Sequence, residues 1–171
     1  FSTNPVASKS KTKCIIFSKN KRDNSAVTPI MMKDKPLPYV EKLLHLGNWL
    51  QTDNSMSVDC SVKRATFIGK VNSLYQEFYF ATPDIKSRLV SSYCTAFYGS
   101  CLWNLYNRDT DKLYKSYNVA TRIGHSLPRT THRYFIEELT EFPHPKILLA
   151  SRFVKFHDSL ILSLIHISEP T

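Results

Sequence analysis

The stretch "KPLPYVEKLLHLGNWL" (residues 35–50) places a single glycine inside an apolar run. Its second half, "KLLHLGNWL" (42–50), has the composition of a β-strand with Gly47 near its centre. A strand that only filled a core would not need a residue without a side chain. A glycine within a strand often marks a bulge or a close approach of another backbone, so we expect this stretch to meet a partner.

Two further runs on the N-terminal side predict strands. "KCIIFSK" (13–19) is short, rich in β-forming residues and bounded by lysines. "PIMMKDKPLPYV" (29–40) has the pattern of a hairpin whose turn lies near residues 33–35. With residues 42–50, these runs predict a small antiparallel β element.

The apolar period becomes that of a helix after residue 55. Apolar residues recur at helical spacing from Met56 to Phe78. Three candidates for the N-terminal cap of this helix come just before it or at its start: Asp53, Asn54 and Ser55. Further helices are predicted at Thr82-Pro83 towards Trp103, at Asp109 to Ile123, in a short piece opening from 127–135, and at 143–161.

The predicted fold class is therefore α+β, a small antiparallel β element followed by a mostly helical part. Gly124 is expected to cap the end of the third helix. Most of the dense aromatic residues of the helical part are expected in the core between helices: Tyr75, Phe78, Tyr79, Phe80, Tyr93, Phe97, Tyr98 and Trp103.

The charge of the chain is strongly positive and unevenly spread. The 171 residues include 23 Lys and Arg against 14 Asp and Glu, a net charge of +9. Residues 1–35 hold eight of these bases and two acids. Such an excess favours a polyanionic partner, because phosphate contacts supply affinity that is independent of sequence. A solvated lysine-rich loop is the alternative.

The cysteines give no sign of a metal site. Cys14, Cys60, Cys94 and Cys101 form no C-x-x-C pair and build no zinc pattern with the histidines. Cys94 and Cys101 lie seven residues apart in the second predicted helix, which predicts core thiols in a reducing compartment. No apolar run is long enough to span a bilayer, and a chain that starts with phenylalanine is expected to be a piece of a longer protein.

The last ten residues, "LSLIHISEPT" (162–171), resemble one translated frame of a transposase adapter used in preparing DNA libraries. The alternative is a natural helix end closed by Ser168, Glu169 and Pro170. We favour the adapter and leave these residues out of the arguments on fold and function.

Three motifs in order carry a resemblance to a family: "KSKTKCIIFSK", "PLPYVEKLLHLGNWL" and "LPRTTHRYF". With them, residues 1–161 resemble the later part of the reverse transcriptase of a non-LTR (LINE-type) retrotransposon. The resemblance divides the chain into the end of the palm with a primer-grip-like hairpin (1–51), a thumb-like helical bundle (52–126) and linker helices (127–161).

The resemblance implies RNA-directed DNA synthesis, in which two Mg²⁺ ions held by aspartates stabilise the attacking and leaving oxygens. The family's tyrosine-x-aspartate-aspartate motif is absent from the chain and is expected ahead of Phe1. Asp109 and Asp111 fit a helix start better than a catalytic pair. We therefore expect a fragment of an enzyme that is inactive by itself.

The lysines of "KSKTK" match the palm lysine that can protonate the departing pyrophosphate. Lys11 is the candidate general acid, with Lys9 and Lys13 as nucleic-acid-binding neighbours. The alternative is that all three line a loop or only touch phosphate.

The turn formed by His45, Leu46 and Gly47 matches the primer grip. Gly47 would let backbone donors approach the sugar-phosphate of the primer closely. Trp49 could stack on a base, but packing against the following helix is the preferred interpretation.

Two basic groups in the helical part complete the predicted interface. Lys63, Arg64 and Lys70 would face the minor groove of the hybrid from the first thumb helix, with a solvated helix face as the alternative. Arg129 and Arg133 belong to a basic and aromatic cluster that would touch RNA or the next domain.

The expected partners are an RNA template, a DNA primer and the missing fingers and palm of the same polypeptide, without a membrane. By the resemblance, the protein would be intracellular, as a ribonucleoprotein in the nucleus or cytoplasm. The alternative function is a non-catalytic helical module derived from a retroelement that binds nucleic acid or a protein.

Overall fold

A computed structural model describes residues 12–17, 28–32, 35–139 and 144–168. In these ranges the chain forms two small antiparallel sheets and five α-helices, which confirms the predicted α+β class. The chain divides into two compact units, Phe1–Asp59 and Cys60–Thr171. The second unit takes in residues that the resemblance assigns to both thumb and linker, and the boundaries drawn from the sequence stay predictions.

The strands of the first unit are short. β1 (Met31–Met32) pairs with β2 (Lys35–Pro36), and β3 (Lys42–His45) pairs with β4 (Asn48–Gln51). The first pair confirms the predicted hairpin of 29–40, with Met32 opposite Lys35 across the turn.

The strand predicted at 13–19 is wrong for the part that the structure describes. Cys14 makes one isolated parallel bridge to Tyr39, through bonds from Cys14 N to Pro38 O (3.0 Å) and from Val40 N to Cys14 O (2.9 Å). The facing segment contains Pro36 and Pro38, which have no N–H to donate. The pairing is therefore confined to one bridge.

The single strand predicted at 42–50 is also wrong, because the chain reverses in its middle, at the place where the resemblance puts the turn of a hairpin. His45 lies opposite Asn48, so Leu46 and Gly47 form a two-residue turn between β3 and β4. Both turn residues have positive φ, 46° and 77°, as a type I′ turn requires. The glycine permits a reversal of the chain, not a bulge.

The first predicted helix is confirmed as α1 (Ser57–Glu77), but its start is capped from elsewhere. The Val58 N–H donates to Oε1 of Gln51 (2.9 Å), and the Ser57 hydroxyl donates to the same oxygen (3.0 Å). Of the predicted caps, Asp53 instead accepts from the Ser55 N–H (2.9 Å), which forms a local turn ahead of the helix.

The second predicted helix is shorter than expected. α2 (Pro83–Leu89) begins after Thr82 as predicted and continues as a π-helical segment (Val90–Cys94), but it does not reach Trp103. The guanidinium of Arg152 donates to the carbonyls of Thr95 (3.2 Å) and Phe97 (3.3 Å). These bonds satisfy backbone groups that a continued helix would have paired internally.

Cys94 and Cys101, both predicted in the second helix, lie in different elements of the structure. Cys94 lies in the π-helical segment and is buried, whereas Cys101 is half-buried in a 3₁₀ turn (Ser100–Leu102). Gly99 precedes that turn with a φ of 72°, which redirects the chain.

α3 (Arg108–Gly124) is capped at its start by Asn107, whose side chain accepts from the Asp109 N–H (3.3 Å). Asp109 and Asp111 lie in its first turn, as predicted, where carboxylates favour the helix dipole. Gly124 is not the cap: it is the last helical residue, and the left-handed position belongs to Ser126, with a φ of 54°.

A close contact explains the glycine at 124. A Cβ built there would lie 2.5 Å from the Tyr75 hydroxyl oxygen. That hydroxyl donates to the Ala120 carbonyl (2.9 Å), so Tyr75 fastens α1 to α3 at the point where only glycine leaves room.

The last two helices are α4 (Arg133–Leu139) and α5 (Pro145–Ser168). The short helix after the connector is thus confirmed, and α5 continues seven residues beyond the predicted end at 161. Within the ranges that the structure describes, no helix is both long and apolar enough to cross a membrane.

The core of the second unit is aromatic at its centre. Phe67 is 1% exposed, and its ring centroid lies 5.9 Å from that of Phe97 and 6.2 Å from that of Tyr117. Trp103 continues the cluster at 6.2 Å from Phe97. The expectation that most aromatic residues would be buried is wrong, because five of the eight are exposed: Phe78, Tyr79, Phe80, Tyr93 and Tyr98. The first three follow the end of α1, in a turn.

Candidate nucleic-acid interface

The tip of the β3–β4 hairpin presents the most unusual backbone among the predicted site residues. Leu46 adopts the left-handed conformation, which costs a residue with a β-carbon about 1 kcal/mol or more. Its side chain is 76% exposed, so no burial offsets this cost. His45 and Gly47 are exposed beside it.

The backbone at the tip is free of the hairpin ladder. The last ladder pair is His45 with Asn48, so the amides of Leu46 and Gly47 lie beyond it. A turn of this kind can present N–H groups and one apolar side chain to an extended partner. The backbone and Leu46 can act only by contact, whereas the exposed imidazole of His45 is the one side chain of this turn that could exchange a proton.

Hydrogen bonds from β4, the second strand of the hairpin, hold it to the start of α1. The Trp49 N–H donates to Oδ1 of Asp59 (3.0 Å), and Gln51 accepts the two bonds that begin the helix. The Trp49 side chain is half-buried, so neither a buried packing role nor an exposed stacking platform describes it fully. The sequence did not single out Asp59 or Gln51, because single polar residues that bond between β4 and α1 leave no periodic pattern.

The three basic residues of α1 contact three different neighbours. The Lys63 ammonium lies 5.5 Å from the centroid of the Trp103 ring, in a cation–π arrangement. The Lys70 ammonium lies 3.5 Å from the Tyr93 carbonyl. Arg64 instead turns towards α3, where its Nε donates to the Ser116 hydroxyl (2.8 Å). Lys63 and Lys70 thus share a side of α1 that Arg64 does not.

The basic residues of the connector and α4 are exposed. Arg133 pairs with Glu137 at 3.1 Å, and Arg129 lies four residues ahead of it. A residue that the sequence did not single out holds this connector: Arg122 donates to the Thr131 carbonyl from both Nε (3.1 Å) and Nη2 (2.8 Å). The position of Arg122 in the last turn of α3, where basic side chains often bond free carbonyls, could have indicated this role.

Of the lysines near the N-terminus, Lys13 is half-buried. Lys9 and Lys11 lie outside the described residues, so the role of Lys11 as a general acid stays a prediction.

The buried titratable groups of the helical unit have pKa values that oppose ionisation. Burial raises the pKa of Tyr75, Tyr117 and the Cys94 thiol, and it lowers the pKa of His144. A thiol with a raised pKa is a poor nucleophile at neutral pH. Each of these shifts favours the neutral form of its group.

Among the residues that the structure describes, no group of three His, Cys, Asp or Glu side chains is placed to hold a metal ion. No known protein family, curated protein or solved structure matches this chain.

Proposed function

We propose that this chain is part of a non-LTR retrotransposon reverse transcriptase and positions a template–primer duplex. The observation that carries the proposal is Leu46, an exposed leucine held in a strained backbone conformation. A strained backbone conformation whose cost is not offset by burial of the side chain is typical of a functional position. Leu46 stands in the very turn that the resemblance assigns to the primer grip.

The chemistry of the tip suits a nucleic-acid backbone. Phosphate oxygens accept from main-chain N–H groups, and the sugar offers an apolar face to a leucine side chain. Such contacts fix the position of a strand without reading its bases. An RNA–DNA hybrid, which is recognised by its shape and backbone, is the duplex that this mode favours.

The net charge of +9 supplies the long-range attraction. In the helical unit, the basic residues with exposed side chains include Lys70, Arg129 and Arg133. We assign them phosphate contacts that add affinity without specificity. Lys11 is assigned protonation of the leaving pyrophosphate in the complete enzyme.

Nucleotidyl transfer itself requires Mg²⁺ bound by carboxylates, which by the resemblance belong to a motif that this sequence does not contain. Apart from the proton that Lys11 would donate to pyrophosphate, the proposal gives this chain no bond-making step. Its contribution is to hold the primer strand so that its hydroxyl can attack, which is catalysis by positioning.

The test is binding of the full chain to a fluorescent RNA–DNA hybrid, measured by anisotropy over a series of salt concentrations. We expect binding that weakens steeply with salt, because phosphate contacts release counterions. Leu46→Asn keeps the turn, since asparagine suits a type I′ position, but removes the apolar contact. The loss of about 1 kcal/mol corresponds to a roughly fivefold weaker affinity.

Leu44→Asn is the matched control, because Leu44 is an exposed leucine of the same hairpin that lies opposite Trp49 and away from the tip. It should leave the affinity for the hybrid unchanged. Negligible binding at low salt would overturn the proposal, and an equal effect of the two substitutions would remove Leu46 from it.

A further inference from the structure

A groove of about 330 Å³ runs between α1 and α3 in the helical unit. Its floor includes Phe67 and Ala120, which are buried. Its walls carry three aliphatic side chains that remain in water: Ile68, Val119 and Ile123 are 37%, 51% and 59% exposed. Exposed aliphatic side chains grouped along a groove mark a binding surface more often than scattered ones do.

The chain runs in the same direction along the groove in α1 and in α3. Arg64 bonds to Ser116, and further along both helices Tyr75 bonds to the carbonyl of Ala120. The N-terminal end of the groove is therefore lined by Arg64, Lys112 and Lys115, and its C-terminal end by aliphatic residues and Asn72. The groove is apolar along its length and cationic at one end.

Acidic residues are absent from the described residues that line the groove. Lys112 and Lys115 pair with aspartates of their own helix, at 2.7 and 2.8 Å, outside the lining. The bond from Arg64 to Ser116 uses Nε alone. A guanidinium has five N–H donors, so Arg64 can still present its terminal nitrogens to a carboxylate.

We propose that this groove binds an amphipathic helix of an acidic partner protein. The lining runs along α1 from Arg64 to Asn72, a length of about 12 Å at 1.5 Å per residue. Aliphatic anchors at positions i, i+4 and i+7 of a bound helix span about 10.5 Å. A carboxylate one turn before the first anchor then reaches Arg64.

The charge of this chain disfavours a second copy as the occupant. The longest helix with exposed apolar residues is α5, and Lys146, Arg152 and Lys155 lie along it. That helix would bring cations towards the cationic end of the groove, where like charges oppose docking. An acidic helix is attracted by the same end. The proposal is independent of hybrid binding and goes beyond it.

The test uses the full chain and two synthetic helical peptides with blocked ends. Both carry leucines at i, i+4 and i+7, with glutamates one turn ahead in the first peptide and lysines there in the second. We expect the acidic peptide to bind and to shift the methyl NMR signals of Ile68, Val119 and Ile123. The basic peptide should bind at least about tenfold more weakly.

Substitutions then assign the binding to the groove. Arg64→Gln should weaken the acidic peptide about tenfold. Arg129→Gln, which removes the same charge from an exposed site outside the lining, should have no effect. Val119→Asp, at an exposed position that folding tolerates, should abolish binding.

Equal binding of both peptides, or shifts confined to residues outside the groove, would overturn the proposal. So would a concentration-dependent dimer that covers the same methyl groups, since a second copy would then be the occupant. Loss of hybrid binding with retained peptide binding would refute the proposed duplex function alone.

Discussion

The β3–β4 hairpin and the α1–α3 pair each depend on a glycine, and they use it in opposite ways. Gly47 allows a reversal whose neighbour, Leu46, is strained and exposed. Gly124 allows Tyr75 to reach the Ala120 carbonyl inside a packed contact. The first arrangement costs stability and exposes the side chain of Leu46, whereas the second stabilises the contact between α1 and α3. Substitutions at Leu46 therefore test binding, and substitutions at the contact between Tyr75 and Gly124 test the stability of the fold.

The largest difference between these regions should appear when an apolar side chain is removed from each. Phe67→Ala takes away the centre of the aromatic core, so we expect a loss of about 3–5 kcal/mol in the free energy of unfolding. Leu46→Ala removes a side chain that contacts mostly water and should change it by less than about 0.5 kcal/mol. Urea unfolding followed by helical circular dichroism measures the first effect, and hydrogen exchange of the hairpin amides measures the second. Equal effects would refute the comparison.

A smaller loss is expected at the glycine of the helix pair. Gly124→Ala places a Cβ against the Tyr75 hydroxyl and should destabilise the protein by about 1–3 kcal/mol in urea unfolding. Tyr75→Phe removes the oxygen that the new methyl group meets, so the double variant should recover part of the loss. If the two losses simply add, the close contact is not the cause.

The sequence predicted the helices well where apolar spacing alone decides them. α1 and α3 fall close to the expected bounds because their apolar faces have helical period, although Gln51 and Asn107, which bond the first turns, were not predicted as caps. The predicted second helix ends early, and Arg152, more than fifty residues away, bonds two carbonyls of its expected continuation. Local propensity contains no information about such a partner.

The candidate site was predictable in part. Gly47 pointed to the hairpin, but its interpretation as a strand glycine missed that Leu46 shares the positive φ. A type I′ turn favours Asn-Gly, so a Leu-Gly pair gives only half of the usual signal. The separation of Arg64 from Lys63 and Lys70 depends on the positions of Ser116 and Trp103, which spacing within one helix cannot supply.

The strain at the hairpin tip should be visible as a gain on substitution. Leu46→Asn places a residue that tolerates the left-handed region there, so we expect the hairpin to be stabilised by about 1 kcal/mol. Protection of the β3–β4 amides from hydrogen exchange measures this change. The same variant should bind the RNA–DNA hybrid more weakly, so stability and binding move in opposite directions. A loss of both would mean that Leu46 serves the fold.

The smallest expected effect is a pH dependence confined to the helical unit. His144 Nδ1 accepts from the Lys146 N–H (3.2 Å), so the neutral ring carries its proton on Nε2 and donates to Oδ1 of Asn118 (3.2 Å). Burial lowers the pKa of His144 below its ordinary value of about 6.5. Glu137 opposes this shift, and Arg133 and Lys146 add to it.

Because the unfolded chain then binds a proton more readily than the folded one, stability should fall as the pH drops below about 6.5 and should be flat above it. Urea unfolding between about pH 5 and pH 8 measures this slope. His144→Gln removes the titrating group but can still donate to Asn118, so it should flatten the His144 contribution to the slope. An identical slope in that variant would assign the pH dependence to another group. The hairpin amides should be indifferent to His144→Gln, because His144 lies in the helical unit, where its imidazole bonds to Asn118.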